Sequence, residues 1–308
     1  MKRVLCAGEI NVDLVLQGYT EFPVPGKEVL VQDSELVLGS ATAILAMGLA
    51  RLGTPVAFVG RVGDDLWGHY CLDDMAGRGI DLSRVIRGGG LKTGITVSIT
   101  HAADRALVTH MGAIGALTAT DVPDAAMTGC DHLHVSSFFL QEALRPGLPD
   151  LFARAHRAGL TTSLDTGFDP SGRWNGELRE TLRETDLFFP NEVELQALTG
   201  CADPVEGLRK LASGTTRVVA KLGKNGAMTL DGEKIVQVPA YPVETVDTTG
   251  AGDSFNAGFL HRWLADAPLV ECLRLGAACG ALSTLGLGGT ATQPTLEEAE
   301  SLIRQHGR

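Results

Sequence analysis

Short strand-like runs alternate with segments of helical spacing along most of this chain, and few architectures accommodate that rhythm. Residues 3–8 (RVLCAG) read as a buried strand, 41–53 (ATAILAMGLARLG) as an Ala-rich helix stopped by Gly53, and 55–60 (PVAFVG) as the next strand. The pattern continues with a helix at about 66–78, the strand 132–137 (HLHVSS), a helix at about 147–158, the strand 160–165 (LTTSLD) and a helix around 176–184. It resumes with DLFFPN (186–191), helices near 192–199 and 205–213, and the strand 216–223 (TRVVAKLG). A strand buried on both faces shows no polar alternation, and parallel neighbours need a crossover that is usually a helix. The expected fold class is α/β, with a parallel sheet covered by helices on both faces.

Two regions break the rhythm. Residues 28–38 (EVLVQDSELVL), 93–101 (TGITVSITH) and 105–111 (RALVTHM) alternate polar with apolar residues, as half-exposed antiparallel strands do. They are expected to form a small sheet, from about 13–38 and 88–112, inserted into one domain that spans 1–308. Such a sheet can serve as a lid that closes over a cleft and excludes water, or it can be an edge hairpin without function.

Composition removes several function classes. The 308 residues are 44% hydrophobic and 20% charged, without low-complexity runs, which fits a folded chain with a large core. A net charge of -11 argues against general affinity for nucleic acid or acidic membranes. A small anion can still be held by a local cluster of backbone N–H groups. The cysteines at 6, 71, 130, 201, 272 and 279 form no CxxC pair and no His/Cys metal spacing, which points to reduced thiols and a cytoplasmic protein. The N-terminal MKRVLCAGEINVDLVLQG is broken by Glu9 and Asp13 and reads as a strand, not a targeting segment. No run approaches about 18 uninterrupted apolar residues, so no membrane span is expected.

The segment DTTGAGDSF (247–255) carries the most chemistry. From Ala251 onward, Phe255, Phe259 and Trp263 recur at i, i+4 and i+8, joined by Leu260 and Leu264, so a helix packs one face into the core. Helix N-termini present unsatisfied N–H groups and a partial positive charge, and glycines let a phosphate approach the bare backbone. Gly250, Ala251 and Gly252 would form an anion hole. Asp253 then sits in the first turn, where it would repel a phosphate unless a substrate hydroxyl came between them. That geometry suits a base that accepts an alcohol proton while the hole stabilises a transferred phosphoryl group. A tight turn with an acidic first helical turn would explain either half of the motif alone. GLGGTA (286–291) matches G-x-G-x-x-A but lacks a strand–helix context.

DTTGAGDSF resembles the C-terminal signature of the ribokinase-like (PfkB-type) family of sugar and nucleoside kinases. Further similar segments follow in order: GEINVDLV (8–15), PVPGKEV (23–29), ARLG (50–53), VGRVGDDLWG (59–68), GID (79–81), KTG (92–94), PNEVEL (190–195), TG (199–200) and KLGKNGA (221–227). The resemblance implies a Rossmann-like three-layer α/β body with a small β-sheet lid, transfer of the ATP γ-phosphoryl group to an alcohol, and a requirement for Mg²⁺. By the same resemblance Asp253 is the catalytic base and Gly250, Ala251 and Gly252 the anion hole. Asn191 and Glu194 match the N-x-x-E element that organises Mg²⁺ and its waters; a carboxylate acting through water suits this hard, well-hydrated cation. The same pair could instead only cap the helix after the strand. Lys221, Gly223 and Gly226 fall on the nucleotide-binding strand and loop, with Lys221 where the family usually has threonine. Asp247 and Thr249 match positions that bind a monovalent cation such as K⁺ in several members, with further ligands from around Ser283 to Thr292.

On the acceptor side, Asn11 and Asp13 match the polar pair that grips sugar hydroxyls, and Gly39 fits the next motif. Asp13 can accept hydrogen bonds from two adjacent hydroxyls. The family's GGxxxN element stands here as LGSATA (38–43), with Leu38 for the first glycine, Ala43 for the asparagine and Ser40 where ribokinases carry lysine. Plain ribose is therefore less favoured than another sugar, a sugar acid or a nucleoside. Gly94, Arg105, His110 and LDTGFDP (164–170) are expected near the cleft. The reading is an ATP-dependent carbohydrate kinase; the alternatives are a nucleoside kinase on the same fold and a catalytically silent ligand sensor. Exposed lid strands could pair two copies into a homodimer.

Overall fold

The computed structural model describes residues 1–19, 21–101, 104–174, 177–212 and 216–307. The chain opens with β1 (Val4–Ala7), β2 (Asn11–Gln17), β3 (Asp33–Leu38), α1 (Ala41–Arg51), β4 (Val56–Val59), β5 (Arg61–Val62), α2 (Leu66–Gly77) and β6 (Ile86–Arg87). It continues through β7 (Gly94–His101), β8 (Asp104–His110), α3 (Asp124–Met127), β9 (His132–Val135), α4 (Leu148–Arg157), β10 (Thr161–Leu164), α5 (Leu178–Arg183), β11 (Leu187–Phe188), α6 (Glu192–Thr199) and α7 (Pro204–Leu211). It closes with β12 (Arg217–Lys221), β13 (Ala227–Asp231), β14 (Lys234–Val238), α8 (Ala251–Leu264), α9 (Leu269–Ser283) and α10 (Leu296–Gln305). Residues 176 and 213, at the ends of two helices expected from the sequence, lie outside the described residues.

The main sheet has eight strands in the order β14-β13-β12-β11-β10-β9-β1-β4. From β4 to β12 all pairings are parallel. Strand side chains alternate between two cores, as a period of two requires. Val4, Cys6, Phe58 and Val219 pack in one core with Leu45 of α1, Phe259 of α8 and Leu275 of α9. Leu5, Ala7, Val59 and Val218 pack in the other with Phe152 of α4, Leu195 of α6 and Leu208 of α7. The result is a three-layer α/β body. The sheet is mixed where a purely parallel one was expected, because β13 runs antiparallel to β12 and β14 antiparallel to β13. A tight turn at Gly232, with φ of +60°, makes that edge hairpin, so no helical crossover is needed there.

A second sheet of four strands, β3-β2-β7-β8, is separate from the main one, and its Val12 and Leu38 pack into the first core. Two expectations change here. Strand β3 begins only at Asp33, opposite Gln17 at the end of β2; Gln32 N–H still donates to Gln17 O at 2.8 Å, and residues 28–31 precede the strand. Strand β3 pairs antiparallel with β2 and β8 with β7, as expected, but β2 and β7 join in parallel; polar alternation reports exposure of a face and is silent about strand direction. Among the described residues, no helix is long and apolar enough to cross a membrane.

Candidate active site

The C-terminal ends of the parallel strands carry the candidate residues, as expected of an open α/β sheet. Asn11 and Asp13 are two apart on β2 and so share a face. Asn11 Nδ2 donates to Asp13 Oδ1 at 2.9 Å. Gly39 closes against them: its N–H donates to Asn11 O at 2.9 Å, and a Cβ there would lie 2.2 Å from Asp13 Oδ1. These expected acceptor residues therefore form one cluster. Gly94 joins it, since β7 sets Gly94 opposite Asn11. His110, at the end of β8, is exposed. Arg105 pairs with Thr100 on the same hairpin, and its side chain lies outside what the structure describes. Leu38 and Ala43, the departures from the GGxxxN pattern, are both fully buried in the core. Neither position offers a polar side chain.

Beneath this cluster lies Glu9, only 2% exposed, whose carboxylate accepts from Thr42 Oγ1 at 2.8 Å and from Gln141 Nε2. Ser40, with φ of +76°, donates its hydroxyl to Glu9 O at 2.5 Å and begins α1.

Helix α8 starts at Gly250, whose φ of +70° and close packing both call for glycine. A Cβ would come 2.6 Å from Gly289 Cα and 3.0 Å from Ile44 Cγ2. Gln293 Nε2 ties the same region together by donating to Ile44 O at 2.8 Å and Ser254 Oγ at 3.1 Å. The first turns of α1 and α8 are thus locked side by side. Ala251 N–H already bonds Thr248 O at 3.3 Å, so the open donors of the first turn are those of Gly252 and Asp253. The expected anion hole divides accordingly: Gly250 shapes the turn, while Ala251 and Gly252 face a cavity of about 600 Å³. Lys221, Gly223 and Gly226 line the same cavity, together with Tyr241 and Val243. At Gly226, φ of +89° and a Cβ position 1.9 Å from Val238 O exclude any side chain.

A charged cluster links these parts. Asp165 Oδ2 accepts from Lys221 Nζ at 2.5 Å and from Asn256 Nδ2 at 2.7 Å, and its Oδ1 accepts from Gly167 N–H at 3.0 Å. Burial alone would raise the Asp165 carboxyl, but the Lys221 charge and these hydrogen bonds outweigh it and hold the group below the usual carboxylate range. Asp253 lies in the first turn of α8 and is partly accessible. Burial first, and the Asp165 charge next, push its carboxyl well above the ordinary value, with Lys221 opposing. Glu194 is pushed up to about 7 by burial and then by Asp165. Its Oε2 accepts from Asn191 N–H and its Oε1 from Asn191 Nδ2, both at 2.8 Å, while Asn191 Oδ1 accepts from Glu194 N–H at 2.9 Å. The pair is therefore a full capping box for α6. A bridge between Asn191 and Lys221 sets it beside the cavity.

Asp247 organises the loop before α8. Its Oδ1 accepts from Thr249 N–H at 2.9 Å and Thr249 Oγ1 at 2.8 Å, and its Oδ2 from Gly288 N–H at 2.9 Å. Thr292 Oγ1 donates to Ser283 O at 2.8 Å. Among the described residues no cluster of three or more His, Cys, Asp and Glu forms a ready metal cage.

Sequence reasoning singled out the segment 164–170 but not Asp165 within it, and it passed over Glu9 and Asn256. The available signal was polarity in apolar surroundings: Asn256 is completely buried inside α8, and an amide so placed needs a partner. The family model for pfkB family carbohydrate kinases matches residues 1–296. The chain belongs to this family. It is thus a kinase, a phosphotransferase with an alcohol group as acceptor. It is 31% identical over 310 residues to an ATP-dependent ribose-1-phosphate kinase of Halopiger xanaduensis, covering 99% of each chain. To a 2-dehydro-3-deoxygluconokinase of Bacillus subtilis it is 31% identical over 283 residues, covering 86% of each. The ribokinase of Arabidopsis thaliana, solved with ribose and ATP, superposes with a TM-score of 0.85 at 25% identity, covering 99% of each chain. The PfkB body accounts for the three layers and for the second sheet beside them.

Proposed function

We propose that this PfkB-family kinase transfers the γ-phosphoryl group of ATP to a hydroxyl of a sugar or sugar acid, with Asp253 as the base. The observation that supports the reading is Asp253 in the first turn of α8: it directly follows Gly252, which lines the cavity, its carboxyl interacts with the charges of Lys221 and Glu9, and Gln293 ties its helix to α1, which follows Gly39. Burial and then the Asp165 charge raise its pKa, so its carboxylate is a stronger base than that of an ordinary aspartate. The N–H groups of Gly252 and Asp253 face charge on the phosphoryl group. Lys221, Gly223 and Gly226 hold the nucleotide, and Asn11, Asp13 and Gly39 the acceptor. The acceptor class is supported by the relatives, whose names refer to a sugar phosphate and a sugar acid, and by the oxygen-rich Asn11–Asp13 pair.

Glu194 and Asn191 fit magnesium through water, since both Glu194 oxygens are already engaged by Asn191 and a hard cation keeps several waters. Mg²⁺ bound to the phosphates supplies charge neutralisation there. Asp247 and Thr249 supply the oxygen donors that a potassium ion would use. The second sheet acts as a lid that excludes water when acceptor binds, and its edge strand β8, with Leu107 and Val108 exposed, supports pairing of two copies in a cytoplasmic homodimer.

ADP release with Mg-ATP across a panel of sugars, sugar phosphates, sugar acids and nucleosides tests the reading. Turnover with sugars or sugar acids is expected. Turnover confined to nucleosides would replace the acceptor class, and ATP binding without turnover on any acceptor would contradict the kinase assignment to this site. Measuring activity in Na⁺ against K⁺, and mass in solution, tests the ion and the dimer.

A further inference from the structure

The site holds a cation in an electrostatically awkward place. Lys221 ends β12, where its N–H donates to Pro190 O at 2.9 Å. Its Nζ lies 3.4 Å from where a Cβ on Gly252 would sit, so the ammonium stands against the first turn of α8. A helix N-terminus carries partial positive charge, and a lysine there is on the wrong side of the dipole. Burying it as an ion pair with Asp165 is weak evidence for a stabilising role, because an apolar pair of similar volume would usually serve as well. The arrangement gains a reason when a polyanion arrives, since the ammonium and the helix N-terminus then face the same negative charge. Asp165 is itself fixed by Asn256, which follows Asp253 by three residues on the same helix, so α8 carries both the proposed base and the anchor of the lysine's partner.

We propose that Lys221 is the cationic group that binds the phosphoryl group in transit, and that Asp165 and Asn256 are positioning residues that hold its ammonium in place. This rests on the kinase reading above. As the acceptor oxygen bonds to the γ-phosphorus, the bond from that phosphorus to the bridging oxygen breaks and ADP leaves with the electron pair. The hydroxyl proton passes to Asp253. Lys221 stays protonated throughout and donates to an equatorial phosphoryl oxygen, where the transition state concentrates charge.

The test compares wild type with Lys221→Met, Lys221→Arg, Asp165→Asn and the Lys221→Met/Asp165→Asn double variant. Calorimetry with Mg-ATP, ADP and adenosine is paired with steady-state kinetics on whichever acceptor the wild type turns over. Lys221→Met should weaken ATP at least about tenfold more than adenosine and lower kcat by about 10²–10³-fold, with acceptor KM nearly unaltered. Arginine should recover part of the loss, and keeps the ion pair should the methionine variant fail to fold. Asp165→Asn should lower kcat by about tenfold while leaving adenosine binding unaltered. The double variant removes both charges; recovery of its kcat to near wild type would reduce Lys221 to a structural ion pair and overturn the proposal. So would equal weakening of ATP and adenosine by Lys221→Met. A wild type that binds no ATP would instead remove the kinase reading on which the proposal stands.

Discussion

Replacing Gly39 by alanine should separate folding from acceptor binding. The added Cβ would lie 2.2 Å from Asp13 Oδ1, 2.5 Å from Asp13 Cγ and 2.6 Å from Asn11 Nδ2. Ordinary contacts need about 3.5 Å, so the carboxylate must withdraw by more than about 1 Å. It can do so, because these atoms end a rotatable and partly accessible side chain; an off-rotamer adjustment costs about 1 kcal/mol of stability. The move breaks the 2.9 Å hydrogen bond from Asn11 and takes Asp13 off the cleft face. A hydrogen bond to a charged group contributes about 1.5–3 kcal/mol, which corresponds to roughly 10- to 150-fold in kcat/KM for the acceptor. The ATP KM should stay within about twofold, since the nucleotide cavity is lined by other segments. Steady-state ADP release with each substrate varied in turn, alongside a thermal melt, measures all three quantities. An unaltered acceptor KM, or equal losses for acceptor and ATP, would refute the assignment of this cluster.

Gly250→Ala should be far more damaging, because its Cβ would meet Gly289 backbone at 2.6 Å and its φ is +70°; together about 2–5 kcal/mol of destabilisation is expected. A melting temperature equal to wild type would show that α8 does not start in this geometry. The histidines of β9 predict an acid-sensitive fold. His132 and His134 are linked through Ser163 Oγ at 2.6 and 2.7 Å, and burial holds His134 down to about 3 and His132 well below its ordinary 6.5. A pKa depressed in the fold gives stability that is present above about 6.5 and is lost as pH falls toward 3. His134 contributes a slope of about 1.4 kcal/mol per pH unit in that window. Urea denaturation at pH 5 and 6 should show the slope, reduced by about that amount in His134→Gln; a slope indifferent to the substitution would contradict it. Asp13→Ala should raise acceptor KM far more than ATP KM, and equal losses would move Asp13 off the acceptor side.

The body of the fold was legible because short strand-like runs such as VLCA and VAFV alternate with stretches of helical spacing. The α8 motif was legible because glycine, carboxylate and helical spacing coincide in DTTGAGDSF. Strand direction in the second sheet was not, since the exposed faces of β2 and β7 alternate in the same way whichever way they run. The edge hairpin of β13 and β14 and the helices α9 and α10 also went unread. Asp165, Glu9 and Asn256 were hidden for a different reason: their roles depend on partners far away in the chain, such as Lys221 and Gln141, which only the closed sheet brings within hydrogen-bonding distance. Leu38 and Ala43 looked like changes to a pocket, yet they serve the core.

The central claim is that Asp253 takes the acceptor proton, and Asp253→Asn tests it most directly because the amide keeps the shape of the first turn and cannot act as a base. The account predicts a fall in kcat of at least about 10²-fold with ATP affinity by calorimetry unaltered. Turnover equal to wild type, with the same acceptor, would contradict it.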